Sequence, residues 1–423
     1  MNKLLLLVLL FAVNVVQAQT ADKIFHNNIR SVKLYKANNQ VAYPILTLKG
    51  ADKLELHFDD MDGDVKNYFY SFVLCDADWT VANVVPFDYI QGFQTTRIST
   101  YRISSISETK YTHYTASFPE RGSIPTRSGN YILKVFLNND TSKLAFTKRF
   151  LVIDTKVQLA AQIKQPLNGQ LFQTHQRVQA TINTANNKVN ILSPQDIKLT
   201  VVQNFNWNQA VLQTRPTIFR GNYFEYSDDG LTFPAGREFR WAYLNTFRLL
   251  TDRMLKIDDK VDGQIQVYLK PDADQSKQVY FSFNDINGLY TLENEDGNNP
   301  FWQSDYAYVH FTYVPSNRLA IPGKDVYIFG ELTQYQTNES NKMSFNETDG
   351  VYEKTLFLKQ GYYNYSYVTQ TAAPGKAAAN PENLEGNFWA AENTYMVLVY
   401  FRPFGARSDE LIGYATVNSV AGR

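Results

Sequence analysis

"YFYSFVL", Tyr68 to Leu74, alternates large apolar residues with the positions between them. That period-two pattern is the mark of a strand whose two faces meet different surroundings. "KLELHF" (Lys53 to Phe58), "YTHYTASF" (Tyr111 to Phe118) and "YILKVFL" (Tyr131 to Leu137) repeat it, each bounded by turn residues such as the "RSGN" at Arg127 to Asn130. Short alternating runs at such spacing predict an antiparallel β-sandwich. "LAFTKRFLVIDTKV" then carries the chain out of this first unit near Asp154.

The pattern continues to the end of the chain. "RVQATIN", "IKLTVVQN", "QIQVYLK", "QVYFSF" and "YAYVHFTYV" predict a second β-rich unit. "PSNRLAIPGK", Pro315 to Lys324, has two prolines, a glycine and no periodicity, and reads as a link. "VYIFGEL", "VYEKTLFLK", "YYNYSYV", "YMVLVYF" and "LIGYATVN" predict a third unit. The expected division is a leader over 1–18, then domains over 19–155, 156–315 and 316–423. "FRLLTDRMLKI" (Phe247 to Ile257) is the one segment that reads as a short helix, and Thr371 to Asn387 reads as a long loop. The fold class is all-β: tandem antiparallel sandwiches of immunoglobulin or early-set type.

Bulk composition agrees. Among 423 residues there are 28 Tyr, 28 Phe and 5 Trp, types that favour strands. Lys+Arg and Asp+Glu balance at 41 each, which argues against nucleic acid or an acidic membrane surface as partner. The single cysteine, Cys75, leaves no partner for an intrachain disulfide. Lys3, the apolar run from Leu4 to Val16 and the small-residue site Val16-Gln17-Ala18 read as a secretory signal peptide cleaved after Ala18. No later stretch reaches the roughly 18 to 20 apolar residues of a spanning helix. An outer-membrane barrel would also alternate, but these strands are irregular in length and carry many charges on their outward faces.

Chemistry-bearing patterns are sparse. Cys75, Asp76, Asp78, Trp79 and Asp88 crowd together after the strand at Tyr68, and such a cluster invites an active-site reading. Cys75 closes an apolar strand, however, where a free cysteine is a small buried hydrophobe. Asp78 suits a cap on the turn that follows. "DDMDGD" (Asp59 to Asp64) is acidic enough for calcium, yet an EF-hand beginning at Asp60 would have Val65 in place of the glycine and Ser71 in place of the glutamate. It reads as a hairpin loop, as does "ENEDGNN" at Glu293 to Asn299. His26, His57, His113, His175 and His310 show no zinc spacing. G-x-S-x-G, P-loop and dinucleotide motifs are missing. The expectation is no catalytic residue, no metal site and no cofactor.

Taken together, "SVKLY", "LELHFDDM", "LCDADW", "FDYIQGF", "YTHY" and "SGNYILKVF" resemble, in order and spacing, the plug protein family of the type IX secretion system. "SDYAYVHFTY", "VYIFGELT", "LKQGYYNYSYV", "EGNFWAAENTYMVLVYFR" and "LIGYATVN" extend the resemblance over nearly the whole mature chain. "EFRWAYLNTFR" (Glu238 to Arg248) departs from the Arg-aromatic-Asp run expected there. The resemblance implies a periplasmic, non-enzymatic protein, peripherally docked and not inserted in the membrane. Its implied partner is the outer-membrane translocon β-barrel, whose periplasmic mouth it closes reversibly. Trp79, Tyr89, Phe93 and Trp389 are candidate partner-binding residues on residue type and loop position. The third unit also resembles the early-set sandwiches of starch-enzyme modules, with Gln334 and Tyr335 following "FGELT". The alternative is therefore an exported carbohydrate-binding protein. A hydrolase using Asp76 or Asp78 is the remaining reading.

Overall fold

In the computed structural model, the described residues are 22–185, 189, 191, 193–261, 263–297, 299–371 and 379–421. The signal-peptide expectation and part of the loop expected over 371–387 lie outside them. The first sandwich opposes two sheets. One orders Lys23–Ile24, Leu144–Ile153, Gly129–Leu137, Tyr68–Cys75 and Thr96–Arg97, with Ile45–Thr47 parallel to Leu144–Ile153. The other orders Ile29–Lys36, Leu54–Asp60, Thr112–Phe118 and Thr100–Ile103. Leu54, Leu56 and Phe58 meet Tyr68, Tyr70, Phe72 and Leu74 in one core, as the alternation requires. Each such side chain contributes about 1.5–3 kcal/mol on burial. The acidic segment between these strands is not a hairpin loop, because the two strands belong to opposite sheets. It is a crossover between layers.

The expected boundary at 315/316 is corrected by the strand pairing. Tyr306–Val314 pairs along its length with Val351–Lys359, so the 315–324 link lies inside one sandwich. That sandwich runs from Arg240 to Thr371. Its sheets are Arg240–Tyr243, Gly361–Thr371, Tyr290–Leu292 and Lys324–Phe329, against Met254–Val261, Gln264–Leu269, Tyr306–Val314, Val351–Lys359 and Ser344–Asn346. The segment expected as a helix becomes loop followed by the strand Met254–Val261. "QVYFSF" has strand residues but no strand neighbour. It runs as an irregular segment whose Val279 carbonyl accepts from Arg237 Nη2 at 2.6 Å.

The remaining sandwich is assembled from two distant stretches. Gln158–Lys164, His175–Asn183, Tyr223–Tyr226, Ile218–Arg220 and Thr232–Pro234 form one sheet. In the other, Ile197–Gln203 pairs with Val211–Gln213 and with Thr394–Phe401, which pairs on to Glu410–Asn418. The Arg240–Thr371 sandwich is thus inserted within this middle one. The run "YMVLVYF" is apolar at every position because both faces are covered. Tyr395, Val397, Val399 and Phe401 enter the middle core, while Met396, Leu398 and Tyr400 pack against Leu151 and Ala77 of the first sandwich.

Candidate functional site

The stretch from Cys75 to Phe93 was the densest cluster of unusual residues, and its geometry divides them. Cys75 is buried beside Ile132 and Val73. Burial first, then Asp76, pushes its thiol up to about 12, which leaves it protonated and unreactive. Asp76 and Asp78 do not act as a pair. Asp76 bridges Arg402 at 2.8 Å and accepts the Asp409 amide at 2.9 Å. Asp78 caps its own turn, accepting from Thr80 N at 3.0 Å and Thr80 Oγ1 at 2.6 Å.

The four candidate docking residues also separate. Tyr89 is only 4% exposed, with its hydroxyl donating to the Phe72 carbonyl. It packs the first sandwich, so the docking expectation for it is corrected. Trp79 stands edge-on to Trp207 at 4.8 Å, with the Arg149 guanidinium 5.0 Å above its ring. Its half-buried indole fills the seam between the first and middle sandwiches. Trp389 is half-buried, its amide held by the Gln173 carbonyl at 2.7 Å. Tyr335, which follows "FGELT", is buried edge-on against Phe329 at 5.6 Å. Phe93 alone of the four is open, at 72% exposure.

Phe93 has company that the sequence reading missed. Phe87 is 78% exposed, and Val81 and Val85 are also open to solvent. Their loop is not slack. Pro86–Asp88 forms a 3-10 turn, Ile90–Gly92 pairs with Ser123–Pro125, and Phe93 N donates to the Gly122 carbonyl at 2.6 Å. Gly92 has φ +98°, and a Cβ there would stand 2.3 Å from the Gly122 carbonyl oxygen, so only glycine fits. The loop carrying the fully exposed Phe404 is tied to the same region through Asp409, which accepts from Ala77 N at 3.0 Å. Clustered exposed apolar side chains on a held backbone are the usual mark of an interaction surface.

Away from this loop, the sandwiches are clamped by buried charge. On the outward face of Leu54–Asp60, His57 and Asp59 are buried rather than open to water. His57 stacks on Phe301 at 3.9 Å, and Asp59 meets Lys359 of the inserted sandwich at 2.5 Å. Asp59 also accepts from Tyr306 OH at 2.5 Å and pairs with His113 Nδ1 at 2.6 Å. Asp59 and Lys359 are 0% exposed and His113 is 2% exposed, so the constellation is sealed from any substrate and acts as a clasp. Within the inserted sandwich, Arg240 donates to Asp272 at 3.0 Å and bidentately to Glu385, and Tyr365 and Tyr367 donate to Asp272 at 2.8 Å. Arg240 lies in the stretch that departed from the expected run.

The clasp has a pH signature. Burial lowers the His113 imidazole from 6.5 to about 4, against the opposing pull of Asp59. The unfolded ring therefore binds a proton through that interval while the folded one does not, so stability falls as pH drops from 6.5 to 4. For this group the full loss is about 3 kcal/mol. Asp285 works in the other direction. Burial raises its carboxyl from 3.8 to about 7, and its contribution is lost as pH rises through that range. A His113→Gln variant isolates the histidine's share. Its urea midpoint, compared with the parent's, is expected to show a gap that narrows from pH 6.5 to 4; parallel curves would contradict the assignment.

Asp60, Asp62 and Asp64 do converge, but Lys66 lies among them. Its ammonium is 2.8 Å from Asp60 and 3.3 Å from Asp64, and it also bonds Asp62. The lysine occupies the position a cation would take. His310 stacks on Tyr268 at 4.2 Å and bonds Gln266 at 2.8 Å, the packed role expected of a strand histidine.

Comparisons with known proteins locate this architecture. The family model for the type 9 secretion system plug protein 1st domain matches residues 29–154, which is the first sandwich with its exposed loop. The crystal structure of a hypothetical protein from Parabacteroides merdae superposes with a TM-score of 0.88 at 30% identity, covering 94% of this chain and 99% of that one. A trypsin-activated alpha-2-macroglobulin from Escherichia coli aligns at 9% identity over 92% of this chain and 27% of that one, with a TM-score of 0.18 that carries no argument. No curated protein matches. Residues 29–154 are thus the first domain of a type 9 secretion system plug protein, which associates the chain with that system.

Proposed function

We propose that this chain is a periplasmic, non-catalytic component of the secretion system that docks on the periplasmic mouth of the outer-membrane translocon barrel and reversibly occludes its pore. The observation that carries the reading is the exposed apolar loop end at Val81, Val85, Phe87 and Phe93, built on the sandwich that the family model matches. A removable stopper needs a stiff body and an adhesive end, not bond chemistry. The buried Asp59–Lys359 and Arg240–Asp272 pairs supply stiffness across and within the sandwiches. The exposed loop supplies contact area, and a stable interface of this kind buries upwards of about 1,000 Å². The secretory signal peptide expected from the sequence over 1–18 supports the periplasmic part of this reading.

Occlusion itself is tested by permeability. Cells lacking the protein are expected to admit a large antibiotic that the intact outer membrane excludes, and re-expression is expected to restore exclusion. Unchanged permeability in the deletion strain would count against plugging while leaving docking open to its own test.

A further inference from the structure

One small cavity lies where all three sandwiches meet. Its volume is about 70 Å³, several times what a single water requires. Lys148 of the strand Leu144–Ile153 lines it. The neighbouring residues Phe146, Phe150 and Val152 enter the first core, so the Lys148 stem follows them between the sheets and its ammonium surfaces at the cavity. Lys148 is 8% exposed and has no hydrogen-bond or ion-pair partner among the described residues. The nearby cations differ. Lys33 pairs with Glu331 at 2.6 Å, and Arg149 pairs with Asp22 at 2.6 Å. One positive charge is therefore left over in a site where an uncompensated ammonium is costly.

Neutral groups on the wall match it. The Tyr335 hydroxyl is buried without a partner. The Tyr43 hydroxyl accepts from Trp207 Nε1, which leaves its own proton to donate. The Gln334 amide oxygen is also unpartnered, and a flip of that amide presents its NH2 instead. We propose that this cavity binds a monocarboxylate with a short apolar remainder, its oxygens on Lys148, Tyr335 and Tyr43. A dianion is disfavoured, because Asp22 and Glu331 also face the cavity. Leu34, Val41, Phe205 and Leu289 give the rest of the wall an apolar surface for the tail. The carboxylate comes either from a free short-chain acid or from the C-terminal hydrophobic residue of a peptide. Because the wall is drawn from all three sandwiches, the bound ligand ties them together.

The test is titration calorimetry with thermal melts of the full mature chain. The probes are isobutyrate, and Ala-Ala-Val with a free or an amidated C-terminus. Melting is expected to rise by about 2–4 °C at saturating isobutyrate relative to equal chloride. Lys148→Met, which keeps the stem, is expected to lose this response, and Tyr335→Phe to weaken binding at least threefold. A response to the free-acid tripeptide and not its amide assigns the site to peptide ends; a response to isobutyrate alone assigns it to small acids. No heat and no shift with any probe, or an equal shift in Lys148→Met, would overturn the proposal in favour of a water-filled cavity.

Discussion

Asp59→Ala is expected to destabilise the protein by about 3–5 kcal/mol, because it strands three buried partners at once, Lys359, Tyr306 and His113. Lys359 is fully buried, and its ammonium depends on Asp59 and on the Phe301 carbonyl, each at 2.5 Å, with the Tyr111 ring 4.2 Å away. Burial lowers the Lys359 ammonium and Asp59 opposes that lowering, so removing the carboxylate leaves only the unfavourable effect. The Asp59 carboxyl is raised by burial, but Lys359 and His113 together hold it below its ordinary value. A double variant, Asp59→Ala with Lys359→Met, removes the stranded charge along with its partner. It is expected to recover at least half of the loss, as buried pairs replaced by apolar groups commonly do. Urea unfolding of the four members of the cycle checks this. Additive losses in the double variant would show that the two residues are not coupled across the seam.

Phe87→Asp with Phe93→Asp is expected to reduce recovery of the outer-membrane partner at least tenfold, the scale of losing one strong anchor at about 1.4 kcal/mol. Both rings stand in solvent and contribute little to the first core, so the melting temperature is expected to stay within about 2 °C of the parent. Gly92 and the Phe93 amide hold the loop shape whatever side chain Phe93 carries. Undiminished capture by a folded double variant would move the docking surface elsewhere on the molecule. Phe404 and the open residues Val279 and Phe281 of the inserted sandwich would be the next to test.

Much of the first sandwich was legible because its strands have one apolar and one mixed face. Tyr68, Tyr70, Phe72 and Leu74 announce a core by parity alone, and the structure places them there. Parity does not say what covers the second face. His57 and Asp59 look like solvent-side residues until the inserted sandwich is laid over them. The domain division failed for a related reason. Local patterns identify Ile197–Gln203 and Thr394–Phe401 as strands, but their pairing joins residues some 200 positions apart, and no short-range signal encodes it. "QVYFSF" failed conversely, since strand propensity records fitness for a pleated surface and not the presence of a neighbour. For the candidate site, residue type pointed alike to Phe93, which is exposed, and to Tyr89 and Trp79, which pack against their neighbours. Aromatic side chains serve cores and interfaces equally well, and only burial separates the two uses. Lys148 carried no sequence signal at all, because its anomaly is a missing partner.

The central claim is that this protein is a docked component of the secretion apparatus. Affinity purification of the tagged full-length chain from mild-detergent envelope extracts, with the co-purifying proteins identified by mass spectrometry, tests it most directly. An outer-membrane β-barrel recovered in near-stoichiometric amount with the parent chain, and depleted with the Phe87→Asp, Phe93→Asp variant, is the expected result. A parent chain that emerges folded and alone, with no barrel protein above the untagged control, would contradict it.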